Sequence, residues 1–134
     1  MFDGANAQDK ESKTNETTAS RLKILVLFGT RPEVIKLAPI IHELKKKFFR
    51  TVVVSSSQHK ELLKPFLKML EIETDFDLRV MRKNQTPNEV CSKILAKLDK
   101  ILAEEKPDLI LVQGDTTTTL AGGWVWIVRW PGNW

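Results

Sequence analysis

The sequence predicts an α/β fold, a Rossmann-like parallel sheet with helices on both faces. Three observations carry that expectation. Continuous apolar runs at 24–28, 52–54 and 109–112 read as strands buried on both faces, since a half-exposed strand would alternate apolar and polar residues. Stretches of helical periodicity separate those runs. Strands that alternate with helices join by right-handed crossovers, which makes neighbouring strands parallel.

Residues 1–20 carry almost no large apolar side chains, so they cannot bury enough surface to offset their ordering entropy and are expected to be a disordered leader. They lack the basic start and apolar core of a signal peptide, and Asp3, Asp9, Glu11 and Glu16 argue against a transit peptide. A cytoplasmic location is the expectation. The first strand is Ile24-Leu25-Val26-Leu27-Phe28, ended by Gly29. Thr30 with Glu33 three residues on forms a capping box, and Pro32 supplies a helical φ in the first turn. Val34, Ile35, Leu37, Ala38, Ile41 and Leu44 then mark a helix, closed by Lys45-Lys46-Lys47 where the helix dipole favours cations.

Val52-Val53-Val54 is the second strand and Ser55-Ser56-Ser57 closes it. A second helix is expected from His59 to Leu70, with Leu62, Leu63, Phe66, Leu67 and Leu70 on one face. Leu78 and Val80 alternate as a short third strand would. Thr86-Pro87-Asn88-Glu89 repeats the capping box with Pro at the first helical position, opening a helix that ends before Pro107. Leu109-Ile110-Leu111-Val112 is read as a further buried strand, and Gly114-Asp115-Thr116 begins the next turn and helix.

Composition narrows the function classes. The chain has 134 residues, 42% of them hydrophobic and 28% charged, with a net charge of +4. That is ordinary for one globular domain and too apolar for full disorder. A single Cys permits no disulfide framework, and the longest apolar run falls well short of a membrane span. Cys91 lies on an apolar stripe and reads as a small core residue, while His42 reads as a helix-flank residue. One Cys and two His without ligand spacing argue against a zinc site. The Lys clusters have no aromatic interleaving, so a nucleic-acid partner is not expected.

In parallel sheets ligands bind at the carboxyl ends of the strands, and two loops fit that address, 29–33 and 113–117. The first is neither GxGxxG nor a P-loop, yet it brings backbone N–H groups, a helix N-terminus and Arg31 to one point. Lys36, about one and a half turns along, could add a second cation. The plainer reading is that Thr30 and Glu33 only cap while Arg31 and Lys36 are solvated. Asp115 and the run Thr116-Thr117-Thr118-Thr119 suit acid–base work or sugar recognition, or else a plain N-cap with first-turn donors satisfied.

The residues also carry a family likeness. Phe28-Gly29-Thr30-Arg31-Pro32-Glu33, with Lys36 and Ala38-Pro39, resembles the opening of the non-hydrolysing UDP-N-acetylglucosamine 2-epimerases. Ser57-Gln58-His59 resembles their Gln-His segment, and Lys106-Pro107-Asp108 followed by Val112-Gln113-Gly114-Asp115 and the Thr run resembles a third signature. The resemblance implies a partial N-terminal domain, 22–122, of a two-domain GT-B-type fold. It implies inversion at C2 of UDP-GlcNAc by elimination and re-addition of UDP, with no nicotinamide cofactor and no obligatory metal. By the same likeness Thr30, Arg31 and Lys36 would bind substrate, Asp115 would be an acid–base carboxylate, and Gln58, His59 and Gln85 would line a regulatory UDP-GlcNAc site. The implied partners are UDP-GlcNAc or UDP, with a homodimer or association with a full-length homologue also in view.

After Leu120-Ala121-Gly122 the likeness stops. All four Trp, at 124, 126, 130 and 134, fall in the last eleven residues, and the chain has no Tyr. Residues 123–134 are therefore expected to be a non-family tail of a truncated or frame-shifted chain, inactive by itself. The alternative is a nucleotide-sugar-binding or interaction fragment without catalysis.

Overall fold

The computed structural model describes residues 21–57 and 60–129. The expected leader, Gln58, His59 and the end of the Trp-rich stretch lie outside these residues. Within them the order is β1 (Lys23–Phe28), α1 (Arg31–Lys46), β2 (Arg50–Ser55), α2 (Lys60–Met69), β3 (Phe76–Asp77), α3 (Pro87–Glu105), β4 (Leu109–Leu111) and α4 (Thr117–Val128). The strands form one sheet in the order β3-β2-β1-β4, every neighbouring pair parallel. Leu25 lies opposite Val52 on one side and Ile110 on the other, which fixes the register at the sheet's centre.

Alternation along β1 divides the molecule into two cores. Ile24, Val26 and Phe28 face α1 and α2, where Val34, Leu37, Ala38, Ile41 and Leu63 are buried. Leu25 and Leu27 face α3 and α4, where Val90, Ile94, Leu98, Leu102, Ala121 and Val125 are buried. The helices thus cover both faces, as the uninterrupted apolar strands required. The chain turns one way from β1 through β2 to β3, then crosses to the opposite side of β1 for β4. That reversal puts a topological switch point between the carboxyl ends of β1 and β4.

Two expectations change in detail. The third strand pairs at Phe76–Asp77, not at Leu78 and Val80. Arg79 adopts φ 48°, which breaks the extended geometry, although Leu78 and Val80 are buried and their N–H groups still bond Ser55 and Ser56 carbonyls. β4 was expected to be buried on both faces. Instead Leu109 is exposed and Ile110 and Leu111 are half-buried, because among the described residues β4 pairs only with β1. The predicted α1 and α3 caps are present, and α2 and α3 begin and end within a residue or two of their expected limits. Cys91 packs half-buried against the α3–α4 core.

Candidate functional site at the switch point

Strand β1 delivers Gly29 and Thr30 to the carboxyl edge of the sheet, and β4 delivers Gln113 to Thr116 beside them. Between the two loops and α2 lies a cleft of about 410 Å³, lined by Thr30, Arg31, Pro32, Leu62 and Thr116. The Arg31 guanidinium lies over the Phe66 ring, 4.8 Å from its centroid. An aromatic face holds a cation with about 0.5–1 kcal/mol at an exposed site, so α2 fixes Arg31 at the cleft wall. Asp115 is exposed, one residue before the lining residue Thr116.

The carboxylate that organises this edge is Glu33, only 2% exposed. Its Oε2 accepts the N–H groups of Gly29 at 2.6 Å and Thr30 at 2.8 Å. Its Oε1 accepts the Thr116 hydroxyl. The backbone donors expected to cradle a phosphate at Gly29 and Thr30 are therefore already taken by a carboxylate. The charged side chain this loop presents to the cleft is Arg31. Gly114, at φ +96°, lies against Glu33: a Cβ there would meet its Cγ at 3.7 Å.

The plain reading of Asp115 as the α4 N-cap is corrected. Thr116 takes that position, its hydroxyl accepting the Thr119 N–H at 3.3 Å, which leaves the Asp115 carboxylate uncommitted to the helix. Thr118 is fully buried and its hydroxyl meets Ser56 at 2.7 Å, tying α4 to the end of β2. Three of the four Thr residues thus have structural partners, which explains a run that helix propensity alone disfavours.

The structure brings Thr30, Arg31 and the Asp115 loop together, but Lys36 apart from them. Five residues along a helix amount to a rotation of about 140° from Arg31, and Lys36 is exposed outside the cleft lining. Gln85 sits on the loop leaving β3, half-buried, its Oε1 accepting the Arg82 N–H, also away from the cleft. His42 is more than a flank residue: its Nε2 donates to the Leu70 carbonyl at 2.7 Å, locking α1 to the end of α2. Among the described residues no group of three or more His, Cys, Asp or Glu could hold a metal, and no helix is long and apolar enough to cross a membrane. The sequence places Phe66 only on the apolar face of α2; its contact with Arg31 and the Glu33–Thr116 bridge are not visible there. The capping-box spacing marks Glu33 as a local acceptor, and the unusual Thr run is the only hint of its distant partner.

A doubly wound parallel sheet whose cleft opens where β1 and β4 diverge places the chain among Rossmann-like α/β proteins that take ligands at a switch point. Comparison with known proteins narrows this. The family model for UDP-N-acetylglucosamine 2-epimerase matches residues 42–128, ending with the last turn of α4. The UDP-N-acetylglucosamine 2-epimerase of Escherichia coli K12 is 50% identical over 101 residues, 75% of this chain and 27% of that protein. The Bacillus subtilis enzyme of the same description is 46% identical over 103 residues, 76% of this chain and 27% of its own length. The crystal structure of UDP-GlcNAc 2-epimerase from Neisseria meningitidis bound to UDP-GlcNAc superposes with a TM-score of 0.77 at 42% identity, covering 81% of this chain and 29% of that one. The chain belongs to the UDP-N-acetylglucosamine 2-epimerase family, and it spans about a quarter of the length of these curated relatives.

Proposed function

We propose that the cleft between the β1–α1 and β4–α4 loops is the N-terminal part of a UDP-GlcNAc 2-epimerase active site. The observation that carries this is the convergence of Arg31, held on Phe66, and the Asp115 loop on one crevice at the switch point. In the full reaction a base removes the C2 proton, the C1–O bond breaks, and UDP departs with the bonding electrons. UDP then re-adds to C1 while a proton returns to C2 from the opposite face, giving UDP-ManNAc. Arg31 pairs with the diphosphate, for which its fork of donors is suited. Thr30 borders the same space, and Lys36, outside the cleft lining, contributes its positive charge to substrate binding at longer range. Asp115, exposed and free of the α4 cap, serves as one of the acid–base carboxylates. Gln58, His59 and Gln85 belong to a separate regulatory site for the same nucleotide sugar, and the protein works as a homodimer or alongside a full-length homologue. UDP and UDP-GlcNAc bound in solved relatives support this ligand class.

For this chain the first expectation is binding. Isothermal titration with UDP should give saturable heat, and Arg31→Ala should weaken affinity about tenfold or more, since a charge-assisted contact contributes roughly 1.5–3 kcal/mol. Equal affinity in both proteins would remove Arg31 from the site. An assay of the same chain for UDP-ManNAc formation tests the second reading, a binding fragment without turnover.

A further inference from the structure

The geometry points to Glu33 as a positioning residue that couples the two loops of the cleft, so that Arg31 and Asp115 are held at a fixed separation. Glu33 gives one carboxylate oxygen to each loop. Oε2 is saturated by Gly29 and Thr30 on the β1–α1 side, and Oε1 receives Thr116 from the β4–α4 side, 83 residues away. A local cap needs only the first set. Thr119 does not share the second role: its single hydroxyl proton goes to the Gln113 carbonyl at 2.9 Å, leaving its 3.5 Å approach to Glu33 without a donor.

Two further features fit a built bridge. Glu33 is 2% exposed with both oxygens engaged, so neither loop can move without leaving part of a buried carboxylate unpaired, which is expensive in a low-dielectric interior. Gly114 turns the β4–α4 loop beside the Glu33 stem with a φ of +96°, a conformation other residues rarely adopt. Arg31 and Asp115 are the chain neighbours of the two bridged segments: Arg31 follows Thr30, and Asp115 lies between Gly114 and Thr116. The bridge therefore spans the same gap as the proposed diphosphate group and acid–base group. Its bearing on ligand rests on reading the cleft as the UDP site; its existence as a coupling does not.

Amide hydrogen exchange on the whole chain separates these. Thr116→Val removes the donor to Oε1 and should speed exchange at Gly29 and Thr30 several-fold, while Thr116→Ser should restore the wild-type rate. Loss of the α4 cap alone would speed exchange at Thr119 and Leu120 and leave Gly29 and Thr30 unmoved, and that result overturns the proposal. Should Thr116→Val fail to fold, Glu33→Gln reads the coupling from the other side. Amide resonance shifts at 114–119 as well as 29–34 support the bridge, and shifts confined to 29–34 overturn it. In UDP titration Thr116→Val should weaken binding several-fold, with no further loss in an Arg31→Ala background. No UDP heat from the wild-type chain would count against the UDP reading of the cleft, with the exchange result still deciding the bridge.

Discussion

At the scale of single residues, the two adjacent glycines of α4 sit in opposite environments. A Cβ on Gly122 would lie 2.8 Å from Val112 Cγ1 and 2.9 Å from Leu27 Cδ2, closer than real side chains approach. A Cβ on Gly123 would meet nothing within 4 Å. Both occupy a helix interior, where Ala is favoured over Gly by about 1 kcal/mol. Gly123→Ala should therefore raise stability by up to that amount. Gly122→Ala must displace the Val112 and Leu27 side chains or shift α4 away from them, and overpacking of this kind costs about 1–3 kcal/mol, so the net effect should be a loss. Urea denaturation of the two variants decides the matter; shifts of the same sign would mean that α4 does not seat as closely as the backbone indicates. Glu33 shows what such local reading misses. Its role as a cap is written in a four-residue spacing, whereas its bond to Thr116 depends on β4 lying beside β1, a fact no local pattern contains.

At the scale of elements, helix starts were the most legible features. The TRPE and TPNE spacings located α1 and α3 because capping is settled within one turn of chain. Strand limits were less so. The alternation of Leu78 and Val80 reported their burial correctly, but the left-handed backbone of Arg79, which ends the ladder, has no apolar signature. The α3 box carries its own prediction. The Thr86 backbone N–H, with a smaller contribution from its hydroxyl, holds the Glu89 carboxyl below its ordinary value of 4.5. A carboxyl depressed in the folded state stabilises above its unfolded pKa, and that contribution disappears as pH falls through the lowered folded value. Glu89→Gln should thus flatten the acid limb of the stability curve below about pH 5, a window set by that ordinary value. Thr86→Ala should lower stability by about 1 kcal/mol at neutral pH. Urea midpoints measured from pH 3 to 7 test both, and an acid limb unchanged in Glu89→Gln would show that the box does not form in solution.

At the scale of the whole molecule, the sheet is well covered on its two faces but open along β4. Among the described residues no strand pairs with the far side of β4, and Leu109 is half exposed there. Just beside it, α4 turns Leu120, Trp124 and Ile127 outward, with 67%, 57% and 69% of their surfaces exposed. Those positions recur at i, i+4 and i+7 and so form one stripe. The composition of the Trp-rich stretch was plain in the sequence, but its placement was not. Gly123–Val128 continues α4, burying Val125 in the core while Trp124 and Ile127 face out. An open strand edge next to an apolar stripe is a template for association, because unpaired backbone groups and uncovered apolar surface are relieved together. The chain should therefore self-associate with rising concentration, detectable by sedimentation velocity at micromolar levels. Charged replacements on the stripe, Leu120→Lys with Ile127→Lys, touch no buried position and should shift the population to monomer while leaving UDP heats unchanged. If the double variant associates as strongly as the wild type, the stripe is not the contact. If it loses UDP binding along with association, the cleft would depend on a second copy, which would turn an apparent liability of the exposed edge into part of the site.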